Sequence, residues 1–277
     1  MRKFISLALC AALLIGIFAI AGCQSSNGGA KSQLKVGMEC GYPPFNWTQA
    51  TDANGAVPIS GSQEFAGGYD VEIAKLIAKG MDKDLVIVKT AWDGLSPAVQ
   101  SGSIDAIIAG MSPTADRKLT IDFSDHYYRS DLVVVVQKGS KYENAKSLAE
   151  LAGAKITAQL NTFHYTVIEQ IPNVEKKTAM DDFPAMRVAL ESGIIDGYIS
   201  ERPEGVSATA ANPKFAMVEF APGQGFQASD DDVAIAVGVK KGNTELVAGI
   251  NKVLSTLSED QRKAIMDQAI KNQPASN

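Results

Sequence analysis

Short apolar runs alternate along the chain with segments in which apolar residues recur every three or four positions. The runs at 34–38 (LKVGM), 85–90 (LVIVKT) and 105–110 (DAIIAG) predict buried strands. Helical spacing predicts one helix over 70–80, which ends in a glycine, and a shorter helix over 95–101. This alternation of strands and helices is typical of an α/β fold.

The second half of the chain repeats this order. Strands are predicted at 154–160 and 194–200, and helices at 162–170 and 184–193. The segments 93–110 and 183–200 share a helix, a turn of small residues and glycine, an Ile-Asp pair and a strand. We expect the acids of these pairs, Asp105 and Asp196, to make structural contacts where their strands begin. The repeat predicts two similar lobes.

Two further apolar runs lie outside this repeat, at 130–138 (SDLVVVVQK) and 232–240 (DVAIAVGVK). Extended segments that cross between two lobes would form a hinge, and the chain would then return to the first lobe for its last helices, from Thr244 onward. Two ordinary central strands of one sheet would give the same pattern. The spacing of the residues does not choose between these alternatives.

The first 22 residues have the layout of a secretory signal peptide. Arg2 and Lys3 form a basic start, and residues 4–21 are apolar apart from Ser6. The apolar run is close to the ~18 residues that would span a bilayer, so an uncleaved membrane anchor is the alternative.

The sequence IAGC at 20–23 resembles the lipobox of bacterial lipoproteins, in which the cysteine sulfur carries a diacylglycerol. The resemblance implies that 1–22 is removed and that Cys23 is lipidated. Two acyl chains give stable attachment to a membrane. Residues 23–33, rich in glycine and serine, then form a flexible lipid-anchored tether.

Cysteine content and charge limit the classes of protein and partner. Of the three cysteines, Cys10 leaves with the signal peptide and Cys23 would carry lipid, so Cys40 has no partner for a disulfide bond. The formal net charge is −5 and becomes more negative when Arg2 and Lys3 are removed. A mildly acidic protein is not expected to bind nucleic acid.

Common catalytic and metal-binding motifs are missing from the sequence. It has no GxSxG elbow, HExxH zinc site, CxxC pair or P-loop, and only two histidines, His126 and His164. We therefore expect no metal, no cofactor and no enzymatic activity. A dehydratase-like enzyme on the same fold is the alternative from a different class.

Five blocks of sequence, in order, resemble family 3 bacterial solute-binding proteins, which serve ABC importers of polar amino acids. The blocks are 36–47 (VGMECGYPPFNW), 67–81 (GGYDVEIAKLIAKGM), 92–118 (WDGLSPAVQSGSIDAIIAGMSPTADRK), 121–128 (IDFSDHYY) and 189–203 (ALESGIIDGYISERP). The resemblance implies a two-lobed periplasmic-binding-protein fold with two hinge crossovers. Such a protein closes over one amino acid and presents it to the permease and ATPase subunits of an importer. The resemblance thus favours two lobes over a single sheet.

The resemblance also divides the chain. Lobe 1 is expected at 34–130 and 234–277, lobe 2 at 134–228, and the hinge near 131–133 and 229–233. We expect a monomer on the extracytoplasmic face of the cell membrane, held there by its lipid. A receptor that hands the ligand to a signalling partner would bind in the same way and is a further alternative.

Three residues are expected to hold the ligand carboxylate from lobe 1. In the family, the arginine of the T-x-x-R pattern formed here by Thr114 and Arg117 binds the carboxylate, because its planar guanidinium can pair with both oxygens. Ser112 and Thr114 precede it at an expected helix start, where free N–H groups favour an anion. By family position, Thr162 contributes a hydroxyl or N–H from lobe 2, and it can also cap a helix. An ordinary surface arginine is the alternative for Arg117.

The remaining site residues follow from family position. An acid after the second-lobe strand binds the ligand ammonium; here it is Glu201, where aspartate is more common and where a solvated loop acid is the alternative. Tyr42 aligns with the aromatic residue that stacks on the ligand, Tyr69 with a second wall, and Glu39 with an acid facing the ligand side chain. Since Arg117 and Glu201 balance the ligand backbone, Glu39 favours a cationic amino acid such as arginine, lysine or histidine. Glutamine binders also carry this acid, so glutamine is the alternative.

Overall fold

The structure, a computed structural model, describes residues 31–274. The predicted signal peptide and Cys23 lie outside these residues. Among the described helices, none combines the length and the apolar character needed to cross a membrane.

The described elements follow one another in the alternation that the sequence predicts. The strands are β1 (Gln33–Met38), β2 (Gly41–Tyr42), β3 (Asn46–Gln49), β4 (Val57–Pro58), β5 (Phe65–Gly67), β6 (Asp84–Lys89), β7 (Ala106–Ile107), β8 (Ile121–Arg129), β9 (Leu132–Gln137), β10 (Lys155–Thr157), β11 (Glu175–Lys176), β12 (Gly197–Glu201), β13 (Phe215–Val218) and β14 (Ala234–Lys240). The helices are α1 (Tyr69–Gly80), α2 (Trp92–Ser101), α3 (Ala115–Lys118), α4 (Phe163–Val167), α5 (Phe183–Glu191), α6 (Arg202–Ala211), α7 (Thr244–Leu254) and α8 (Glu259–Asn272). Short 3-10 helices lie at Ala53–Gly55, Leu148–Leu151 and Ile168–Gln170.

Two five-stranded sheets have the same arrangement. The first, in lobe 1, has the order β6-β1-β7-β14-β8, with β1 parallel to β6 and β7 and with β14 antiparallel to β7 and β8. The second, in lobe 2, has the order β11-β10-β12-β9-β13, with β10 parallel to its neighbours and β9 antiparallel to β12 and β13. A small sheet, β2-β3-β5-β4, adjoins the first.

The two strands that the sequence left open, β9 and β14, occupy the same position in different sheets. Both are apolar and buried up to their last residues, Gln137 and Lys240, as expected for strands inside a sheet covered on each side. The structure therefore has two lobes rather than one sheet, and the predicted fold class is confirmed.

Equivalent aspartates start the third strand of each repeat. The carboxylate of Asp105 accepts a hydrogen bond from the Lys35 N–H at 2.8 Å, and the Asp105 N–H donates to the Lys35 carbonyl at 2.8 Å. In lobe 2, Asp196 makes the same pair of bonds with Lys155, at 2.9 and 2.8 Å. Both acids have the structural role that the sequence predicted.

The chain passes between the sheets twice, after β8 and before β14. The Ser130 N–H donates to the Val233 carbonyl at 3.0 Å, so the two crossing segments lie side by side. Leu132 and Val133, expected in the hinge at 131–133, already pair with β12 in lobe 2. The hinge limits near 131–133 and 229–233 stay a prediction.

Two strands are shorter than predicted because the apolar run continues beyond the sheet. The strand expected at 105–110 extends only over Ala106–Ile107, and the one expected at 154–160 only over Lys155–Thr157, followed by an isolated bridge between Gln159 and Met180. After each strand the chain turns toward the other lobe. Gly110 has a φ of +62°, and a Cβ there would lie 2.7 Å from the Tyr42 ring, so this turn requires glycine.

Candidate functional site

A pocket lies between the lobes, where loops from both sheets and the starts of several helices meet. Its lining comes from lobe 1 and lobe 2 in nearly equal parts: Tyr42, Trp92, Gly110, Ser112 and Arg117 from the first, and Gln159, Thr162, Phe163, His164, Phe183 and Glu201 from the second. Side chains of the two lobes touch directly, and the space left between them is about 10 Å³.

Larger cavities lie away from this cleft. One of about 380 Å³ adjoins Trp47 and α8, and one of about 600 Å³ lies between α6 and α8. The cleft brings the buried acid Glu201 of lobe 2 and the basic residue Arg117 of lobe 1 into one pocket, and neither of these larger cavities does the same.

Arg117 reaches the cleft from the short helix α3. Thr114 caps this helix, its hydroxyl accepting a hydrogen bond from the Arg117 N–H at 3.4 Å. The guanidinium donates to the Ser112 carbonyl at 2.9 Å and, across the cleft, to the Asn161 carbonyl at 3.1 Å. It also stacks on the Trp92 ring, with its carbon 4.9 Å from the ring centroid.

Burial lowers the pKa of Arg117 to about 10, against the opposing influence of Glu201 and Asp232. The guanidinium is therefore charged at neutral pH. Within residues 31–274 its hydrogen-bond partners are carbonyl oxygens rather than a carboxylate. A guanidinium in this position can exchange one carbonyl for the stronger contact with a ligand carboxylate.

Glu201 faces Arg117 from lobe 2, at the junction of β12 and α6. Its side chain is almost fully buried, with His164 Nε2 3.0 Å from one carboxylate oxygen. The Tyr42 hydroxyl, from lobe 1, donates a hydrogen bond to the other oxygen. Burial acts to raise the pKa of Glu201, but His164 and the hydrogen bond from Tyr42 outweigh it and hold the pKa below its usual range. Glu201 is thus an anion.

Glu39 lies behind the pocket lining rather than in it. One carboxylate oxygen accepts a hydrogen bond of 2.9 Å from Gln159 across the cleft. The other oxygen is buried without a hydrogen-bond partner among the described residues. Burial raises the pKa of Glu39 to about 8, although the bond from Gln159 acts to lower it, and Asp182 and Asp93 raise it further. Glu39 therefore holds its proton at neutral pH in this conformation.

The aromatic walls differ from the prediction at one position. Tyr42 is buried in the cleft, stacked between Phe45, at a centroid distance of 4.8 Å, and Phe183 of lobe 2, at 4.2 Å. Tyr69 does not line the pocket. It lies in the lobe 1 core, where its hydroxyl donates to the Tyr127 carbonyl at 2.9 Å. Tyr69 is the first residue of α1, and its ring packs against Phe45 and Tyr128 in that core.

Two hydroxyls expected near a ligand carboxylate already have partners. The Ser112 hydroxyl donates to the Asp232 carbonyl at 2.8 Å, beside the second crossing segment. The Thr162 hydroxyl donates to the Gln159 carbonyl at 2.7 Å and does not cap α4. Thr162 still lines the pocket.

Several lining residues were not predicted. They are Trp92, Gly110, Gln159, Phe163, His164 and Phe183. Four of them lie in the first turn of a helix, namely Trp92, Phe163, His164 and Phe183, whereas Gly110 and Gln159 lie in the loops between a strand and the next helix. The strand-to-helix junctions were visible in the sequence and could have identified them.

Fold and site together define a two-lobed ligand-binding protein that closes over a small molecule carrying both an acidic and a basic group. The sequence matches the family model for bacterial extracellular solute-binding proteins, family 3, over residues 34–272. The chain belongs to this family.

Its relatives match it over most of the length of both chains, and a solved structure has the same fold. The chain is 27% identical over 256 residues to the putative ABC transporter arginine-binding protein 2 of Escherichia coli (strain K12), covering 91% of this chain and 93% of that protein. It is 30% identical over 286 residues to the ABC transporter glutamine-binding protein GlnH of Bacillus subtilis (strain 168), covering 99% and 100%. An amino acid ABC transporter substrate-binding protein from Streptococcus pneumoniae Canada MDR_19A, bound to L-arginine, superposes with a TM-score of 0.75 at 26% identity, covering 87% and 94%.

Family membership confirms a binding protein rather than an enzyme and an extracytoplasmic location.

Proposed function

We propose that this protein captures a polar amino acid, with a cationic side chain preferred, and delivers it to the permease and ATPase subunits of an ABC importer. The observation that carries the proposal is that Arg117 from lobe 1 and Glu201 from lobe 2 line the same pocket. One fixed cation and one fixed anion complement the carboxylate and ammonium of an amino acid, since each needs a partner once water is excluded.

Binding is expected to exchange contacts within the protein for contacts with the ligand. The ligand carboxylate takes the place of the Asn161 carbonyl on Arg117 and meets the chain around Ser112, Thr114 and Thr162. The ligand ammonium takes the place of the Tyr42 hydroxyl on Glu201. A ligand that touches both lobes stabilises the closed form and shifts the population toward it.

Glu39 supports a cationic side chain. Its unpartnered oxygen is an acceptor close behind the pocket lining, and a cationic group would favour its ionised form. A relative that carries arginine in its name and an arginine-bound structural neighbour support the same preference.

Glutamine is the second candidate, and one contact favours it. The Gln159 amide already donates to Glu39 across the cleft, so this position accepts a carboxamide. With its pKa raised to about 8, Glu39 can stay neutral beside an uncharged ligand. The Bacillus subtilis relative has glutamine in its name.

The anchor, the oligomeric state and the hinge belong to the same proposal. Lipidation of Cys23 would hold a monomer at the outer face of the membrane through the 23–33 tether, within reach of an importer. Closure would bend the chain near 131–133 and 229–233.

A thermal-shift panel of the twenty amino acids on the domain from residue 31 tests the function. A ligand at a hundred times its dissociation constant should add ~2.7 kcal/mol to the free energy of unfolding. Arginine, lysine or histidine is expected to give the largest shift. If no amino acid shifts the transition, the proposed function is wrong.

A further inference from the structure

The cavity of about 600 Å³ between α6 and α8 has walls from both lobes and shares no residue with the cleft. One wall is β8 of the lobe 1 sheet, another is α6, which follows β12 of the lobe 2 sheet, and the third is α8. We call this cavity the α6–α8 groove; the residues of its lining that matter below are Tyr128, Arg129, Arg202, Val206, Arg262 and Met266. Its volume lies within the range of roughly 300–1,000 Å³ that is typical of small-molecule sites.

The groove adjoins the first crossing segment and the cleft without opening into the cleft. Arg202 lines the groove, and its backbone N–H donates to the Asp131 carbonyl of that segment at 3.0 Å. The residue before Arg202 is Glu201, which lines the cleft. A molecule in the groove therefore contacts both lobes beside the point where the chain passes between them.

Cationic side chains outnumber anionic ones in the groove. The lining includes the cations Arg129, Arg202, Arg262 and Lys263 and the acids Glu259 and Asp267. Three of the cations form exposed ion pairs, Arg129 with Asp230, Arg202 with Glu219 and Lys263 with Asp267. Exposed pairs contribute little free energy, so an incoming anion can compete for these cations.

Arg262 differs from the other three cations. Within residues 31–274 its terminal nitrogens donate to backbone carbonyls, of His126 at 2.7 Å and of Leu254 at 2.9 Å, and its buried Nε has no hydrogen-bond partner. The half-buried guanidinium thus has no carboxylate partner in the described part of the chain. A guanidinium forms its strongest hydrogen bonds with an anion such as a carboxylate.

The rest of the lining is largely apolar. Pro203 and Val206 contribute from α6, Met266 and Ile270 from α8, and Tyr128 from β8. Apolar side chains beside a cation without a carboxylate partner suit a ligand that carries an anionic group on an apolar body.

We propose that the α6–α8 groove is a second binding site, which takes a small amphipathic carboxylate and raises the affinity of the cleft for its amino acid. The carboxylate would lie at Arg262 and the apolar body between α6 and α8. Occupancy of the groove is independent of the proposed function, whereas the effect on the cleft rests on it.

The sign of the effect follows from the conformation. The lobes touch directly in the cleft, and the groove has its present shape in this same arrangement. An occupant that fits between β8 and α6 favours this arrangement over an open one, as an amino acid in the cleft does. Two ligands that favour the same conformation raise each other's affinity by the same factor.

A packed path of side chains also joins the two sites. Tyr128 packs edge-on against Phe45, with centroids 5.9 Å apart, and Phe45 stacks on Tyr42 of the cleft at 4.8 Å. A shift of Tyr128 by an occupant of the groove would therefore reach the cleft.

Saturation-transfer NMR with 3-phenylpropionate tests occupancy, and its neutral counterpart 3-phenylpropionamide tests the need for charge. The carboxylate should give a signal with the wild-type protein and the amide a much weaker one. Calorimetric titration of L-arginine should then show about fivefold or more tighter binding when 3-phenylpropionate saturates the groove. The amide at the same concentration should leave the affinity unchanged.

Val206→Glu places an acid in the groove and should abolish both the NMR signal and the gain in arginine affinity. Val188→Glu is the matched control, because Val188 lies on α5, is 68% exposed and does not line the groove. It should behave like wild type. If Val206→Glu does not fold by circular dichroism, Arg262→Gln, which removes the cation, replaces it with the same expected result.

Four results would count against the inference or its basis. No signal from 3-phenylpropionate, or equal signals in the Val206 (or Arg262) and Val188 variants, means that the groove is not the site. Equal signals from acid and amide mean that the site does not select an anion. If arginine binds but 3-phenylpropionate leaves its affinity unchanged, the linkage is wrong and the proposed function stands. If no amino acid binds at all, the proposed function and the linkage are both wrong, and the NMR signals alone decide whether the groove binds an anion.

Discussion

The guanidinium of Arg117 donates a 3.1 Å hydrogen bond to the carbonyl of Asn161, so the cationic group of lobe 1 reaches into lobe 2. The position that a ligand carboxylate is proposed to occupy is thus already a contact between the lobes. Removing the guanidinium removes both the anion partner and one of the contacts that close the cleft.

Arg117→Ala should abolish detectable binding of every amino acid, because loss of a paired, desolvated charge costs about 2–5 kcal/mol in affinity. The effect should be the same for arginine and glutamine, since the carboxylate is common to both. Titration calorimetry measures it, with Lys263→Ala on the exposed face of α8 as control. Affinity retained in Arg117→Ala would remove the carboxylate assignment.

Arginine affinity should fall as the pH is lowered from about 8 to about 6. Glu39 has a pKa raised to about 8 by burial, so acidification keeps it protonated and a cationic side chain loses its anion. The loss is at most about tenfold per pH unit. Glutamine affinity should change little over the same range.

Glu39→Gln provides the comparison at fixed pH. It should weaken the binding of arginine and lysine much more than the binding of glutamine. Repeating the pH series on this variant shows which part of the pH dependence of arginine affinity comes from Glu39 and which from other groups. Equal losses for all three ligands would refute the role of Glu39 in selectivity.

Gly110→Ala should weaken ligand binding by about 1–3 kcal/mol, because the new Cβ would lie 2.7 Å from the Tyr42 ring and displace it. Gly153→Ala is the matched control. Gly153 also has a positive φ, +75°, but a Cβ added there would meet no atom within 4 Å beyond its chain neighbours. Both variants should lose about 1–2 kcal/mol of stability to backbone strain. Similar binding by both would show that the Tyr42 position is unimportant.

Glu204→Ala should lower the free energy of unfolding by about 3–5 kcal/mol. Its fully buried carboxylate accepts bonds of 2.8 and 3.1 Å from Arg187 and one of 3.0 Å from Tyr198, and its loss leaves Arg187 without that anion. Asp267→Ala, which breaks the exposed pair with Lys263, should cost less than about 1 kcal/mol. Urea denaturation monitored by circular dichroism gives both values, and near-equal values would contradict the distinction.

Cys23→Ser should release the protein into the medium or periplasm without changing its affinity for amino acids. Uptake by cells should then fall, because the carrier is no longer held near the importer. Membrane fractionation and radiolabelled uptake measure the two effects. Release with normal uptake would mean that the anchor is dispensable.

The repeat in the sequence was a good guide to the fold, because it reflects local periodicity and short-range contacts. Asp105 and Asp196 were correctly given structural roles, since an acid after a helix and turn meets the neighbouring strand in both lobes. The assignment of β9 and β14 to different sheets depended on the family resemblance. Both strands are apolar and buried on two faces, so their sequences alone are equally compatible with one sheet.

The cleft was predicted less completely. Arg117 and Glu201 were assigned and do line one pocket, but Tyr42 and Glu201, which are 159 positions apart, are joined by a contact that no spacing encodes. Tyr69 and Phe183 are both aromatic residues that begin a helix; only packing decides that the first is drawn into a core and the second faces the cleft.

The bond between Ser130 and Val233 ties the two crossing segments into one ribbon. Because the two segments are joined, we expect them to bend together and the lobes to open and close in one concerted transition. Dye pairs placed at different points on the two lobes should therefore report the same transition at the same ligand concentration, which would make the protein a sensor whose midpoint does not depend on where it is labelled.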